Sequence, residues 1–220
     1  MDRELLKRLL SSIIMIPIAL FFIIKGSIFF TLFLFIILII AINEWIGMCK
    51  KNNLIKFTGL IFLIISFYLA YILRINEGLY TFLFVILISI CSDIGGYTFG
   101  KLLKGPKITK ISPNKTYSGA IGGFVISLIG GLSFYEQMTT NFLLNFKSSF
   151  EEYISFNLYL LIFILMISTV SQIGDLVISY FKRLAKVKNT GKLLPGHGGL
   201  LDRIDGIIFV IPFSYLILNL

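Results

Sequence analysis

Apolar residues lie along this chain in long unbroken blocks, with neither the alternation of a half-buried strand nor the single stripe of a surface helix. Such blocks suit a bilayer, whose hydrocarbon core takes about 20 helical residues per crossing. The first block, Leu9 to Ile42, is broken only at Lys25 and Gly26 and reads as a hairpin of two spans. Both are short, so they call for tilt or snorkelling flanks. Further spans are predicted from about Phe57 to Leu73, Leu79 to Gly100, Ser118 to Tyr135, Ile154 to Tyr180, and Gly206 to the C-terminus. The pattern predicts an all-α integral membrane protein, a polytopic bundle of about seven transmembrane helices with its chemistry on cytoplasmic loops. Residues 1–220 form one domain, without repeat, linker or low-complexity tail.

Composition excludes a soluble domain. Hydrophobic residues make up 57% of the chain and mean hydropathy is +0.93, against an apolar share of about 45–50% in soluble domains. The net charge of +9 is explained by membrane orientation rather than by nucleic acid. With the N-terminus in the cytoplasm, only Lys25, Arg74 and Lys147 of the 20 Lys and Arg residues fall outside, as the positive-inside rule asks. Arg3, Lys7 and Arg8 ahead of an apolar run resemble a signal peptide, yet no small-residue cleavage site follows, so this is read as the first span. The expected location is the cell inner (cytoplasmic) membrane. Cys49 and Cys91 lack metal-ligand spacing and are expected to be reduced packing residues. The segment from Glu136 to Ser155 has no convergent motif and is assigned no chemistry.

Charge inside the apolar blocks changes the picture. Asp93, Asp175 and Glu44 lie within or at the edge of predicted spans, where an unpaired charge costs roughly 2.5–3.5 kcal/mol or more. Glu44, next to Trp45, reads as an ordinary interfacial residue. Asp175 stands one helical turn from Ser171 and Ser179, with Lys182 and Arg183 a turn further on, so all can share one face. It serves either a site or a simple pairing with a neighbouring lysine.

The stretch Pro195 to Asp205, PGHGGLLDRID, contains the only histidine, and its glycines let backbone N–H groups approach phosphate oxygens. Asp202 and Asp205 are three apart; as a helix cap and a first-turn acid they also have a purely structural reading. That reading leaves the glycines, His197 and the surrounding basic residues unexplained. Carboxylates beside clustered Lys and Arg suit Mg²⁺-assisted phosphoryl or nucleotidyl transfer. A second basic stretch, Gly100 to Gly123, places Lys115 and Thr116 near a helix start, where they serve an anion site or merely cap and orient the helix.

These residues resemble the phosphatidate cytidylyltransferases, or CDP-diacylglycerol synthases. The C-terminal signature of that family is matched by Ser179, Phe181, Lys182, Arg183, Lys188, Gly191, Leu194, Pro195, His197, Gly198, Gly199, Leu200, Asp202, Arg203, Ile204 and Asp205. The resemblance continues through Gly174-Asp175-Leu176, Ser112 to Thr116 with Gly119, Asp93 with Tyr97 and Gly100, and Glu44-Trp45. Asn189 stands where the family pattern has Asp, and Ser118 where members often have Glu.

The resemblance implies that CTP and phosphatidic acid react to give CDP-diacylglycerol and pyrophosphate, with Mg²⁺. By analogy Asp175, Asp202 and Asp205 are the metal ligands, and Asp93 a further candidate. Lys182, Arg183 and Arg203 hold phosphates, while His197 donates a hydrogen bond or fixes its loop. Lys115, Thr116, Ser179, Lys188, Gly198 and Gly199 are the substrate-binding candidates. The expected partners are CTP, phosphatidic acid and membrane lipid, not nucleic acid, with a homodimer left open. Two other functions compete: a CTP-dependent polyprenol kinase, and a transporter binding coupling cations at Asp93 and Asp175.

Overall fold

The computed structural model describes residues 3–49, 52–109, 112, 115–140, 150–191, 193 and 198–220. Helix order is α1 (Arg3–Lys25), α2 (Ser27–Met48), α3 (Asn53–Asn76), α4 (Gly78–Leu103), α5 (Tyr117–Thr140), α6 (Phe150–Leu184), α7 (Leu201–Ile204) and α8 (Ile207–Leu218). No strand forms among the described residues; Lys107 and Thr116 make one isolated bridge. Helices α2 to α6 are each long and apolar enough to cross a membrane, and two shorter apolar segments, Ile13–Lys25 and Ile207–Leu218, complete the set. The chain is thus a multi-pass membrane protein, and its outer helix faces carry the residues that lipid would cover, among them Ile13, Phe35, Ile61 and Tyr68.

The last predicted span, from Gly206, is found as α8; the short α7 precedes it, and Asp205 and Gly206 between them keep right-handed helical dihedrals. With 12 residues, α8 is about 18 Å long at 1.5 Å per residue, well short of the ~30 Å hydrocarbon core. Its position explains how it can be short: α8 sits inside the bundle. Ile208 packs with Trp45, Leu63 and Phe67 of α2 and α3. Val210 packs with Ile88, Ile164 and Ile167 of α4 and α6. Ile211 packs with Phe30, Leu73 and Phe82. Because α8 touches all three apolar clusters, the acids just before it are fixed relative to every other helix.

Two devices hold the site-bearing helices together. Between α4 and α5 the backbones nearly touch, since Gly95 faces Gly122 and Gly96 faces Gly119; small residues permit this approach, which drives association where lipid offers no hydrophobic gain. Between α4, α5 and α6 runs a ladder of buried hydroxyls. Ser89 and Ser171 share a hydrogen bond of 2.7 Å, and Ser127 donates to Ser168, which donates to Ser92 at 3.0 Å. Each hydroxyl is satisfied inside the bundle, as a water-free surrounding requires.

A Cβ on Gly95 would run into the Gly122 carbonyl, whereas one on Gly47 would meet nothing within 4 Å. Gly95→Ala is therefore expected to destabilise the protein by about 1–3 kcal/mol and Gly47→Ala to be neutral or mildly stabilising, as read by thermal unfolding in detergent.

Candidate functional site

At the end of the bundle where α4 and α6 finish and α5 and α7 start lies a cleft of about 670 Å³. Its placement follows from local chemistry. Lys104 ends α4 in a left-handed turn, and Ser118 Oγ accepts the Gly105 N–H at 3.2 Å, drawing the following segment back against the start of α5. Thr116 Oγ1 accepts the Gly119 N–H at 3.1 Å and caps α5. The capping reading of Thr116 therefore holds, and Thr116 also lines the cleft. Beside it, Lys115 reaches across to α6, its Nζ 2.6 Å from Asp175 Oδ2 and donating to the Gln172 carbonyl at 3.3 Å.

The far wall is made by α6 and α7. Ser179 Oγ donates to Asp175 Oδ1 at 3.3 Å, while Ser171, on the same helix, turns into the buried ladder instead. Lys182 Nζ donates to Asp202 Oδ1 at 2.8 Å. Asp202 Oδ2 accepts the backbone N–H groups of Thr190 at 2.9 Å and Gly199 at 3.0 Å, so Asp202 joins the two sides of the loop preceding α7. Burial raises the Asp202 carboxyl, but the bonds from Lys182, Gly199 and Thr190 outweigh it and hold the carboxyl below its usual range. Asp205 behaves oppositely: burial, then the nearby Asp175 carboxylate, push it well above the usual range.

Of the residues singled out in the sequence, Asp93, Lys115, Thr116, Asp175, Lys182, Asp202, Arg203 and Asp205 line this one cleft. Gly198, with φ +92°, abuts Asn189 and Asp202 beside it. Ser179 is buried behind Asp175. Arg183 and Lys188 are exposed and outside the cleft lining. His197 lies outside the described residues, as do Lys110, Pro113, Asn114, Lys192, Leu194, Pro195 and Gly196.

Three residues carry more than the sequence suggested. Gln172 and Asn189 both line the cleft. Glu44 is buried rather than interfacial, accepting hydrogen bonds from Thr190 Oγ1 at 2.9 Å and from the Leu200 and Leu201 N–H groups at 2.8 Å each. One signal was available: a carboxylate in the last turn of a helix opposes the helix dipole and needs compensating donors.

Among the described residues no three acidic, cysteine or histidine side chains already converge at metal-ligand spacing. The donor chemistry nevertheless fits a divalent cation. Asp93, Asp175, Asp202 and Asp205 line the cleft together with Lys115, Lys182 and Arg203, so carboxyl oxygens suited to a hard cation are gathered in one space.

A helical bundle that carries an ionic cleft at one end defines a polytopic membrane protein with a site at the bilayer face. The chain belongs to the cytidylyltransferase family, whose profile matches residues 51–220. It is 40% identical over 147 residues to the phosphatidate cytidylyltransferase of Staphylococcus saprophyticus, covering 65% of this chain and 50% of that protein. It is 36% identical over 217 residues to the phosphatidate cytidylyltransferase of Rickettsia bellii, covering 96% of this chain and 89% of that one. The chain spans about half the length of the staphylococcal relatives it matches.

The Asp202 carboxyl has a folded pKa below its ordinary value of 3.8. Its contribution to stability is therefore complete above the unfolded value and is lost as the pH falls through the folded one. Asp202→Asn is expected to lower the unfolding temperature at pH 7, and the gap from the parent should shrink as the pH is taken to about 3, as followed by thermal unfolding in detergent.

Proposed function

We propose that the protein transfers CMP from CTP to phosphatidic acid, giving CDP-diacylglycerol and pyrophosphate, at the cytoplasmic face of the cell membrane. The observation that carries this reading is the meeting of two Lys–Asp pairs, Lys115–Asp175 and Lys182–Asp202, in one cleft at the end of a membrane bundle. The relatives' names supply the nucleotide and the lipid.

In the proposed reaction a phosphate oxygen of phosphatidic acid attacks the α-phosphorus of CTP, a new P–O bond forms, and the bond to the β-phosphate bridging oxygen breaks. The attacking phosphate is already an anion at neutral pH, so no general base is needed. The task of the site is positioning and charge neutralisation. Lys115, Lys182 and Arg203 lie along the cleft to balance the incoming phosphates and the departing pyrophosphate. Asp175, Asp202 and Asp205 would hold Mg²⁺, which would supply the remaining charge neutralisation when bound. Thr116 lines the same space and serves as a further phosphate contact, while the Gly199 N–H holds Asp202 in place. Ile94 and Leu176 give the cleft an apolar margin. Tyr97, 68% exposed one turn along α4 from Asp93, extends that margin toward lipid. A diacylglycerol substrate can thus keep its tails in hydrocarbon while its headgroup enters.

The test is Mg²⁺-dependent pyrophosphate release from CTP by purified protein in micelles with and without phosphatidic acid. Release should require both the lipid and the metal. Lys115→Ala and Asp175→Asn should each lower it on the order of a hundredfold. Release that is indifferent to phosphatidic acid, or unchanged in both variants, would refute the proposal.

A further inference from the structure

We infer that Glu44, on α2 and outside the 51–220 family match, is the positioning residue that ties Thr190 to the Gly199–Asp202 segment and so sets Asp202 at the cleft. Its carboxylate is 9% exposed. Oε1 accepts the Leu200 N–H, and Oε2 accepts the Leu201 N–H and the Thr190 hydroxyl. Those donors lie on the two sides of one loop. Thr190 precedes residues 191–199, and Leu200 and Leu201 follow them.

Asp202 grips the same two sides through the Thr190 and Gly199 N–H groups while holding Lys182. Thr190 is therefore shared, its N–H given to Asp202 and its hydroxyl to Glu44. The fit is close as well as polar. An added Cβ would lie 2.5 Å from a Glu44 oxygen at either Gly191 or Gly199. Leu200, the residue before α7, has no side-chain cap of its own, so Glu44 supplies from another helix the acceptor that the local sequence lacks.

Glu44 is itself held in place. The neighbouring Trp45 donates Nε1–H to the Lys56 carbonyl at 3.2 Å and stacks edge-on against Phe181, next to Lys182. A chain of contacts thus runs from α2 through the loop to the Lys182–Asp202 pair in the cleft.

Glu44→Gln tests this with little change in volume. A carboxamide has one acceptor oxygen, so its NH₂ must face either the Leu200 or the Leu201 N–H. The Thr190 hydroxyl can rotate to accept from the new NH₂, but a backbone N–H cannot. Hydrogen exchange on the full-length protein in detergent should therefore quicken at least tenfold at Thr190, Gly199, Leu200 and Leu201, with α3 to α6 unchanged. In the transferase assay, which rests on the proposed function, kcat should fall about ten- to a hundredfold while KM for CTP moves less than threefold. Thr190→Val, which removes only the hydroxyl, should produce a smaller change of the same kind. Glu44→Asp, which keeps both acceptor oxygens, should recover part of the loss.

Unchanged exchange at those four amides in Glu44→Gln would overturn the inference, and so would loosening spread through all helices in both Glu44→Gln and Thr190→Val. A kcat within twofold of the parent would do the same. If the parent protein shows no phosphatidate-dependent turnover, the proposed function fails instead, and the exchange at the four amides alone supports or overturns the role of Glu44.

Discussion

Charge at the edge of a membrane bundle survives only where it is paired, and that constraint organises this molecule. Two of the four aspartates that line the cleft are ion-paired to a different element, Asp175 on α6 to Lys115 ahead of α5 and Asp202 on α7 to Lys182 on α6. Isolated ion pairs are weak grounds for stability, since desolvation offsets much of their attraction. Here they act instead as cross-links of position, because each joins segments far apart in the sequence. The apolar packing around α8 provides the stability that lets such pairs be kept.

The same pairing makes the cleft suited to exchange. A lysine held by a carboxylate can turn to a phosphate at modest cost when a metal ion takes over the carboxylate, because both partners remain neutralised throughout. Placing this machinery where α4 and α6 end and α5 begins also lets the apolar rim at Ile94 and Leu176 continue into the lipid-facing surface.

Much of this was legible in the sequence because hydropathy and charge spacing are local signals. The apolar blocks located the spans, the cost of burying charge pointed to Asp93, Asp175 and Glu44, and the glycine-rich basic stretch pointed to Asp202 and Asp205; the fold gathers the four aspartates into one cleft. What was not legible is long-range. Glu44 bonds Thr190 across 146 residues, and a lone carboxylate beside a tryptophan gives no hint of such a partner. The short helix α7 ahead of the last span was not predicted; it ends where the buried Asp205 carboxylate accepts the N–H of its neighbour Gly206 at 3.1 Å. Asn189, where the family pattern has Asp, lies beside Gly198 and lines the cleft, a placement that local spacing does not encode.

The central claim is that the cleft joins the α-phosphate of CTP to a membrane lipid phosphate. The most direct measurement supplies the protein, in phosphatidate-containing micelles with Mg²⁺, with CTP labelled at either the α- or the γ-phosphate, and then partitions the products between organic solvent and water. The account predicts that α-label moves into the lipid fraction while γ-label stays in water as pyrophosphate. Label from the γ-position in the lipid fraction would mean that the cleft is a lipid kinase site, and label from neither would mean that it does not carry out transfer to lipid at all.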